Sequence, residues 1–430
     1  MTLSHLALVS SNLCMLSCGI SFAWAFPSLF ALEQVNNPLQ HLWITLSYYI
    51  GGIIGSICCS YLLNAVGRKW SLLIATITGM VGWMMIAFAT SKQVFAMGRY
   101  MAGISTSFGY ISAIIYVGET SPANVRGIST STLIVAANIG MYIKWTISSY
   151  LSTISMVLVS TIAPILLLLS ISWAPESPYF LMQRGKHLEA ILSLVALRES
   201  ADVGEEADTI ERSMKTDLAN TRNLCETGNR KALITVLSLM VIEQWSGQMI
   251  LWDTFISITH ISSGTLGIVK IIFIFLGIFA MDSYGRRPLL TISSLGISVS
   301  TFLIGLFLVF QNNQIVVTEM PWLLTMGVVL YLMMCAFGLA TLPFTMMSEV
   351  FPMNIKIDGS GISMLSRVCC MCILEFFFPF ITYRYGIHVM CWIFSIISLW
   401  SALFVYWYTP ETMGKTLQEV EDLLHKRTSL

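Results

Sequence analysis

The sequence has few charged side chains: lysine, arginine, aspartate and glutamate make up 11% of its 430 residues. Soluble domains carry about 25%. The 23 basic residues balance the 23 acidic ones, so the chain lacks the basic surface that nucleic-acid binding requires. Apolar residues reach 56% and the mean hydropathy is +0.75. These values indicate a membrane protein that contacts the lipid bilayer and binds no nucleic acid.

Patterns that support enzymatic chemistry or cross-linking are also missing. The ten cysteines follow no disulfide or zinc spacing, and nine of them lie in apolar segments. The sequence contains no Gly-rich phosphate loop, no metal-ligand cluster and no nucleophile–base pair. We therefore expect no enzymatic activity, no cofactor and no metal ion.

Long apolar runs are abundant. A bilayer core of about 30 Å requires roughly 20 helical residues, and no cleavable signal peptide is present, so the first run is expected to remain as a span. The predicted fold is all-α, with twelve transmembrane helices near residues 5–30, 41–63, 70–90, 94–117, 128–150, 154–174, 232–257, 261–281, 288–310, 321–347, 358–383 and 386–408.

The predicted spans form two groups of six. Residues 1–174 would be an N-terminal six-helix bundle and residues 232–408 a C-terminal one. Between them, 175–231 is predicted to be a linker with short amphipathic helices, one of them at 186–199. A tail, 409–430, ends the chain. The loops and tail on one side hold 17 Lys and Arg and the opposite loops hold two, which predicts cytoplasmic termini and a cytoplasmic linker.

Short motifs recur in the same order in the two groups. Gly67-Arg68-Lys69 recurs as Gly285-Arg286-Arg287, and Pro175-Glu176-Ser177 recurs as Pro410-Glu411-Thr412. Such a parallel repeat is typical of transporters with two similar halves. We interpret the charged residues at these helix ends as a cytoplasmic gate that opens and closes, although they could serve only orientation and helix ends. The gate residues are Arg68, Lys69, Glu119, Arg126, Glu176, Asp282, Arg286, Arg287, Glu349, Lys356 and Glu411.

These motifs, taken with several others, resemble the sugar porters of the major facilitator superfamily over nearly the whole chain. The others are Gly98-Arg99, Tyr116-Val-Gly-Glu119, Gln244 with Ser246-Gly247, Glu349-Val-Phe351-Pro352 and Gly414. Residues 19–27 are similar to the first helix of insect facilitated trehalose and hexose carriers. The resemblance implies two six-helix bundles related by a parallel repeat, and sugar transport by alternating access without ATP.

The resemblance also addresses proton coupling. Proton-linked members use an acid in the first span, near the arginine of the fourth. The arginine is present as Arg99, but no Asp or Glu occurs between Ser4 and Ala31. We therefore expect facilitated diffusion.

The family's sugar-binding pattern is carried over only in part. Gln244 and an aromatic residue, Phe344, are kept. Glu243, Met249, Ile134, Lys270 and Arg367 stand where the family has amides, while Ala336 and Val368 stand where it has an acid and a tryptophan. The candidate substrate-binding residues are Gln244, Glu243, Phe344, Trp245, Met249, Lys270, Arg367 and Ile134.

Three of these residues are charged and lie deep in their spans. Glu243, Lys270 and Arg367 are each about ten residues, or about 15 Å, from a cytoplasmic end. A lone charge there costs about 2.5–3.5 kcal/mol, so we expect Glu243 to pair with Lys270 or Arg367. One positive charge would remain in excess, which suits an anionic or strongly polar solute better than a plain hexose. The alternative is a structural ion pair in a carrier whose sugar site has decayed.

Three functions therefore remain open: a facilitative sugar carrier, a diverged carrier of an anionic or other polar solute, and a non-transporting nutrient sensor on the same fold. In each case we expect a monomeric protein of the plasma membrane whose ligand is a small molecule. Lys144 lies in the outer half of its span and is expected to extend its amine to the interface.

Overall fold

The computed structural model describes residues 3–23, 38–122, 125–147, 150–200, 203–219, 227–259, 261–312, 321–352, 355–415 and 419. These residues are mostly helical and include no β-strand. They fall into two compact units. Unit 1 comprises Met1–Leu233, Met347–Leu365 and Thr416–Leu430, and unit 2 comprises Ile234–Met346 and Ser366–Lys415.

Unit 1 begins with six long helices. They are α1 Leu3–Ala23, α2 Pro38–Val66, α3 Arg68–Ala87, α4 Lys92–Thr120, α5 Arg126–Ile147 and α6 Thr153–Ile171. Small residues allow these helices to pack closely. A Cβ atom on Gly103 of α4 would collide with the carbonyl oxygen of Tyr48 in α2, so backbone meets backbone there, as in many membrane helix pairs.

Three short helices follow: α7 Pro178–Gln183, α8 His187–Arg198 and α9 Gly204–Ala219. They bury a small apolar core of their own, and two arginines attach them to the ends of longer helices. Arg184 Nη2 donates to the carbonyl of Ala65 at 2.6 Å, and Arg198 Nη1 donates to that of Thr120 at 2.8 Å. The cationic guanidinium groups thereby meet the electronegative C-termini of α2 and α4.

The linker helix predicted at 186–199 is observed as α8. Leu188 and Leu192 are 80% and 68% exposed, whereas Ala190, Ser193, Leu194 and Leu197 are buried. A helical repeat predicts which residues share a face. It does not predict which of two faces, both partly apolar, turns inward.

The remaining helices start with α10 Thr227–Trp245. They continue with α11 Ile250–Thr259, α12 Ser263–Tyr284, α13 Arg286–Asn312, α14 Pro321–Met334, α15 Leu342–Val350, α16 Lys356–Tyr385 and α17 Ile387–Tyr408. By residue number, α15 and α16 each belong partly to unit 1 and partly to unit 2. A π-helical turn, Cys335–Leu339, follows α14.

Eleven of the predicted spans are helical segments long and apolar enough to cross a membrane, counted over the described residues. The twelfth, the predicted span 128–150, corresponds to α5, a helix of 22 residues. It is less apolar because Arg126, Asn138 and Lys144 lie along it. Lys144 is buried, so the expectation that its amine extends to the interface is wrong. The last residues of the predicted first span, 24–30, lie outside the described part of the chain.

Two predicted spans are interrupted rather than continuous. The seventh breaks at 246–249 between α10 and α11, where Gly247 has φ 79°, in the left-handed region that favours glycine. The tenth changes to a π-helical turn and is interrupted at Ala340 and Thr341, before α15 resumes at Leu342. Pro343, at the start of α15, lacks a backbone donor. Ser293 of α13 supplies replacement hydrogen bonds: its Oγ donates to the Met334 carbonyl at 2.6 Å and accepts from the Leu339 amide at 3.1 Å.

Candidate functional site

The repeated Gly-Arg motif forms the start of a helix in each unit. In unit 1, the backbone N–H groups of Arg68 and Lys69 donate to Glu176 Oε1 at 3.0 and 3.1 Å. The first amides of a helix lack partners within the helix, and a carboxylate suits them. Gly67 precedes them with φ 100° and ψ 176°. A Cβ atom there would lie 2.7 Å from Glu176 Oε2, so glycine is required for the carboxylate to reach the helix.

Unit 2 repeats this arrangement. The amides of Arg286 and Arg287 donate to Glu411 Oε1 and Oε2, each at 3.0 Å. Gly285 has φ 90° and ψ 168°, and a Cβ on it would lie 2.8 Å from Glu411 Oε2. The two Pro-Glu motifs therefore cap helices that begin more than 100 residues earlier in the sequence.

The described hydrogen bonds of Glu176 and Glu411 do not involve guanidinium groups. Their oxygens bind backbone amides. Burial raises the pKa of the Glu176 carboxyl above its ordinary value, while the amides of Ser177, Lys69 and Arg68 act in the opposite direction. The Glu176 carboxylate is therefore bound by the N-terminus of α3 in a poorly solvated environment.

The second basic residue of each motif holds a different helix end. Lys69 Nζ donates to the carbonyl of Ser172, just after α6, at 3.1 Å. Arg287 Nη2 donates to the carbonyl of Tyr406, near the end of α17. In each unit, one motif thus connects two helix ends, an N-terminus through a carboxylate and a C-terminus through a cation.

Arg68 does pair with a carboxylate, that of Glu119 on α4. Its Nε and Nη2 donate to Oε2 and Oε1 at 2.8 and 3.0 Å. The side chains are 4% and 2% exposed. Ser177 Oγ donates to the same carboxylate, and the guanidinium lies 5.1 Å from the centre of the Phe180 ring. This is a buried, bidentate ion pair whose carboxylate accepts one further hydrogen bond, from Ser177.

Other gate residues of unit 1 surround this pair. Lys356 is 2% exposed, and its Nζ lies 3.3 Å from where a Cβ on Gly118 would be. It interacts electrostatically with Arg126, Glu119 and Glu349. In unit 2, Arg286 Nη1 donates to the Met281 carbonyl at 3.3 Å. The side chain of Asp282 lies outside the described part of the molecule.

A second buried ion pair lies in mid-span in unit 2. Arg367 Nε and Nη2 of α16 donate to Glu243 Oε2 and Oε1 of α10 at 2.9 and 3.4 Å. Their side chains are 8% and 2% exposed. Gln244 Nε2 also donates to Glu243 Oε2, at 2.6 Å. The guanidinium lies 5.3 Å from the centre of the Phe344 ring. The expected pairing of Glu243 is therefore present, with Arg367 as the partner.

Lys270 of α12 is 1% exposed. Its Nζ lies 5.8 Å from the centre of the Trp252 ring, a cation–π distance. It also interacts electrostatically with Glu243 and Cys335. Glu243, Arg367 and Lys270 thus lie in one cluster, and all three side chains are buried within unit 2.

The other candidate residues are less closely connected to this cluster. Trp245 interacts with Cys370 of α16, and Met249, 7% exposed, is the last residue of the break after α10. Ile134 is buried in unit 1, on α5. The ion pair, Gln244 and Phe344 form the connected core of the site.

One residue at the break carries a contact that the sequence did not indicate. The Tyr331 hydroxyl of α14 donates to the Ser246 carbonyl at 2.9 Å, and its ring packs edge-on against Phe255 with centroids 5.1 Å apart. A tyrosine in an apolar run resembles any core aromatic. The one signal in the sequence for this hydrogen bond is the Ser-Gly pair at 246–247, which predicts a backbone carbonyl left exposed at a helix break.

Comparison with known proteins identifies the family. The model of the family described as "Sugar (and other) transporter" matches residues 16–424. The chain belongs to this family. Sugar transporter ERD6-like 1 of Arabidopsis thaliana is 28% identical over 421 residues, which are 95% of this chain and 90% of that protein. The facilitated trehalose transporter Tret1 of Apis mellifera ligustica is 27% identical over 445 aligned positions, covering 98% and 88%.

A solved structure confirms the fold. The major facilitator superfamily proton:xylose symporter XylE, bound to 6-bromo-6-deoxy-D-glucose, has a TM-score of 0.83 over 98% of both chains at 21% identity. The predicted major facilitator fold and the predicted family are therefore confirmed. The chain is a multi-pass membrane protein of a transporter family, and not an enzyme.

Proposed function

We propose that this protein carries a sugar of the hexose or trehalose type across a membrane by alternating access, as facilitated diffusion without proton coupling. The choice of a sugar as the solute rests on the match to the sugar transporter family over residues 16–424. Relatives named as trehalose carriers from four insects are 26–27% identical over 97–98% of the chain. Helix-end motifs kept in both units support a working gate.

The surroundings of Arg99 support the absence of proton coupling. Its Nη1 donates to the backbone carbonyl of Ser21 in α1 at 3.1 Å, and α1 has no acidic residue. A backbone carbonyl does not titrate near neutral pH, whereas a buried carboxylate can take up a proton when its ion pair with an arginine opens. The fourth-span arginine is thus present without the acid that would titrate.

Uptake into proteoliposomes tests this proposal. We expect saturable entry of labelled trehalose or glucose, exchange with unlabelled sugar on the opposite side, and rates that change less than about 1.5-fold with an imposed pH gradient. Protein-free liposomes serve as the control. Uptake that rises several-fold with an inward proton gradient would contradict uncoupled transport, and no uptake of any sugar would contradict the solute class.

The mid-span charges favour a second candidate, a carrier for an anionic or other polar solute. Glu243 and Arg367 satisfy each other, and Lys270 adds one positive charge to the same cluster. A buried amine beside this ion pair favours a carboxylate-bearing solute such as a sugar acid over a neutral hexose.

Replacing Lys270 with Met separates the two candidates. For an anion carrier, the variant should lose most glucuronate uptake, about tenfold or more, and keep any glucose uptake. Trp322, exposed on α14, supplies a neutral control as Trp322→Phe. Unchanged transport of every solute by K270M would remove the anion candidate and leave a structural role.

The proposal also covers the orientation of the chain, its location and its oligomeric state. The 17-to-2 distribution of Lys and Arg supports cytoplasmic termini and a cytoplasmic segment 175–231. We also propose the plasma membrane as the location, a monomer as the working form, and bundles at 1–174 and 232–408. A non-transporting sensor remains the outcome if no solute moves but a sugar still binds.

A further inference from the structure

Gln248 is a buried amide whose oxygen lacks a hydrogen-bond donor. It lies in the break of the seventh predicted span, after α10 ends at Trp245 and before α11 starts at Ile250. The residue is 3% exposed. Its side-chain oxygen, Oε1, is buried and has no hydrogen-bond partner among the described residues. Such an acceptor destabilises the structure, because it has given up its hydrogen bond to water and gained none in return.

The polar groups next to Gln248 are satisfied within the protein. The Ser246 hydroxyl donates to the Glu243 carbonyl at 2.7 Å, and the Ser246 carbonyl accepts from the Tyr331 hydroxyl at 2.9 Å. The Gly247 carbonyl accepts a backbone amide of α11 at 3.0 Å. The break is therefore a well-bonded piece of backbone, and the amide oxygen of Gln248 differs from these neighbours in having no such partner.

The place of Gln248 in the fold is one where a transporter can meet its solute. Gln248 follows Glu243 by five residues, and Glu243 belongs to the connected core of the candidate site. Non-helical backbone inside a membrane is tolerated where it is buried in protein or lines a cavity, and interrupted helices of transporters commonly form the substrate site. A Cβ atom on Gly247 would lie 2.6 Å from the Phe394 ring, so the backbone of the break passes close to α17.

The missing donor defines the chemistry of the partner. A sugar hydroxyl can donate a hydrogen bond to an amide oxygen, whereas an ionised carboxylate has no proton to donate and can only accept. The amide itself is uncharged, so it adds no attraction for an anion. At this point of the site, a neutral solute that carries hydroxyl groups is a better match than a carboxylate.

We propose that Gln248 is a specificity-determining contact for the solute, and that its Oε1 accepts a hydrogen bond from one hydroxyl of a neutral sugar. This role of Gln248 rests on the proposed function of sugar transport and adds to it a residue that the sequence did not single out. Protein atoms cover the oxygen in this structure, so the contact forms in a conformation in which the break is open to the solute.

Thermal unfolding of the purified protein in detergent, without sugar, is the first test. Gln248→Met keeps nearly the same side-chain volume and removes the unsatisfied acceptor. We therefore expect its Tm to equal that of the parent or to exceed it by about 2 °C. Gln248→Leu should behave in the same way, which keeps the test informative if Q248M does not fold. Gln311→Met, at an exposed glutamine of α13, is the matched control and should change neither Tm nor sugar affinity.

Sugar affinity is the second test. Glucose and its monodeoxy analogues, one for each hydroxyl, compete against uptake of labelled trehalose or glucose into proteoliposomes. In the parent, one analogue should bind about fivefold or more weaker than glucose, because it leaves Oε1 without a donor. In Q248M, glucose should lose the same factor and that analogue should lose nothing further. This pattern is that of a double-mutant cycle between one residue and one hydroxyl.

Three results would overturn the role of Gln248 and leave sugar transport standing. One is a Tm of Q248M more than about 3 °C below the parent, which would mean that Oε1 is bonded within the protein. Another is an unchanged affinity of Q248M for glucose, and the third is a discrimination between the analogues that persists in Q248M. A parent that takes up glucuronate and no neutral sugar would overturn the proposed function as well, so the two failures are distinguishable.

Discussion

Unit 1 and unit 2 each contain one buried arginine–carboxylate pair of nearly the same construction. In both, the arginine Nε and Nη2 hold the two carboxylate oxygens, at 2.8 and 3.0 Å for Arg68–Glu119 and at 2.9 and 3.4 Å for Arg367–Glu243. A phenylalanine ring lies 5.1 or 5.3 Å from each guanidinium. A further side chain, Ser177 or Gln244, donates to each carboxylate.

The two pairs differ in where they lie along their helices. Arg68 is the first residue of α3, and Glu119 is next to the last residue of α4. Glu243 lies about 24 Å from the start of α10, and Arg367 lies about 17 Å from the start of α16. Water reaches helix ends more readily than mid-span positions, so an unpaired charge costs more in mid-span. We therefore propose that the same local chemistry acts as a gate element at one depth and as a solute contact at the other.

Breaking the mid-span pair should have the largest effect. Arg367→Met leaves Glu243 buried without its cation, and we expect a loss of about 5 kcal/mol, seen as loss of folded protein or a Tm lower by more than about 10 °C. The double variant with Glu243→Gln removes both charges and should recover most of that loss. A double variant no more stable than R367M would mean that the pair is not the reason for the loss.

Breaking the helix-end pair should have a smaller effect of the same kind. Glu119→Gln leaves Arg68 with neutral partners and should cost about 3 kcal/mol, measured as Tm in detergent. Adding Arg68→Met should restore part of it. Arg198–Glu206, 14% and 39% exposed, is the control pair, and Glu206→Gln should change stability by about 1 kcal/mol or less. Equal losses for E119Q and E206Q would show that burial does not strengthen the first pair.

The sequence predicted the spans, the fold and the need to neutralise the buried charges, but it did not predict which groups neutralise them. Run lengths predicted the spans, and the repeated motifs predicted the family and the fold. Depth along the helices predicted that Glu243 must be neutralised. It could not choose between Lys270 and Arg367, because depth does not fix how a helix is rotated about its axis. It also could not reveal that Glu176 and Glu411 bind amides, since backbone donors leave no trace in side-chain identity.

Substitution of the glycine before each of the two capped helices should lower stability by a similar amount. Gly67→Ala and Gly285→Ala each place a methyl group at positive φ and against a carboxylate oxygen, and we expect each to cost about 2 kcal/mol through strain and loss of the cap. Gly185, also at positive φ, has no atom within 4 Å of a Cβ position. Gly185→Ala therefore measures the cost of a positive φ without a collision between the new methyl group and a neighbour. If G185A costs as much as the other two, the carboxylates contribute nothing to the glycine requirement.

Removing the charge of each cap should have the smallest effect, and it tests the repeat most directly. Glu176→Gln and Glu411→Gln keep an amide oxygen that can accept one backbone N–H but remove the negative charge at the helix N-terminus. Each should lower stability by about 1 kcal/mol, or Tm by about 2–4 °C. Glu189→Gln, at a half-exposed carboxylate paired with Lys186, should change neither. A loss in E176Q without one in E411Q would show that the second cap keeps the geometry of the first but no longer stabilises its helix.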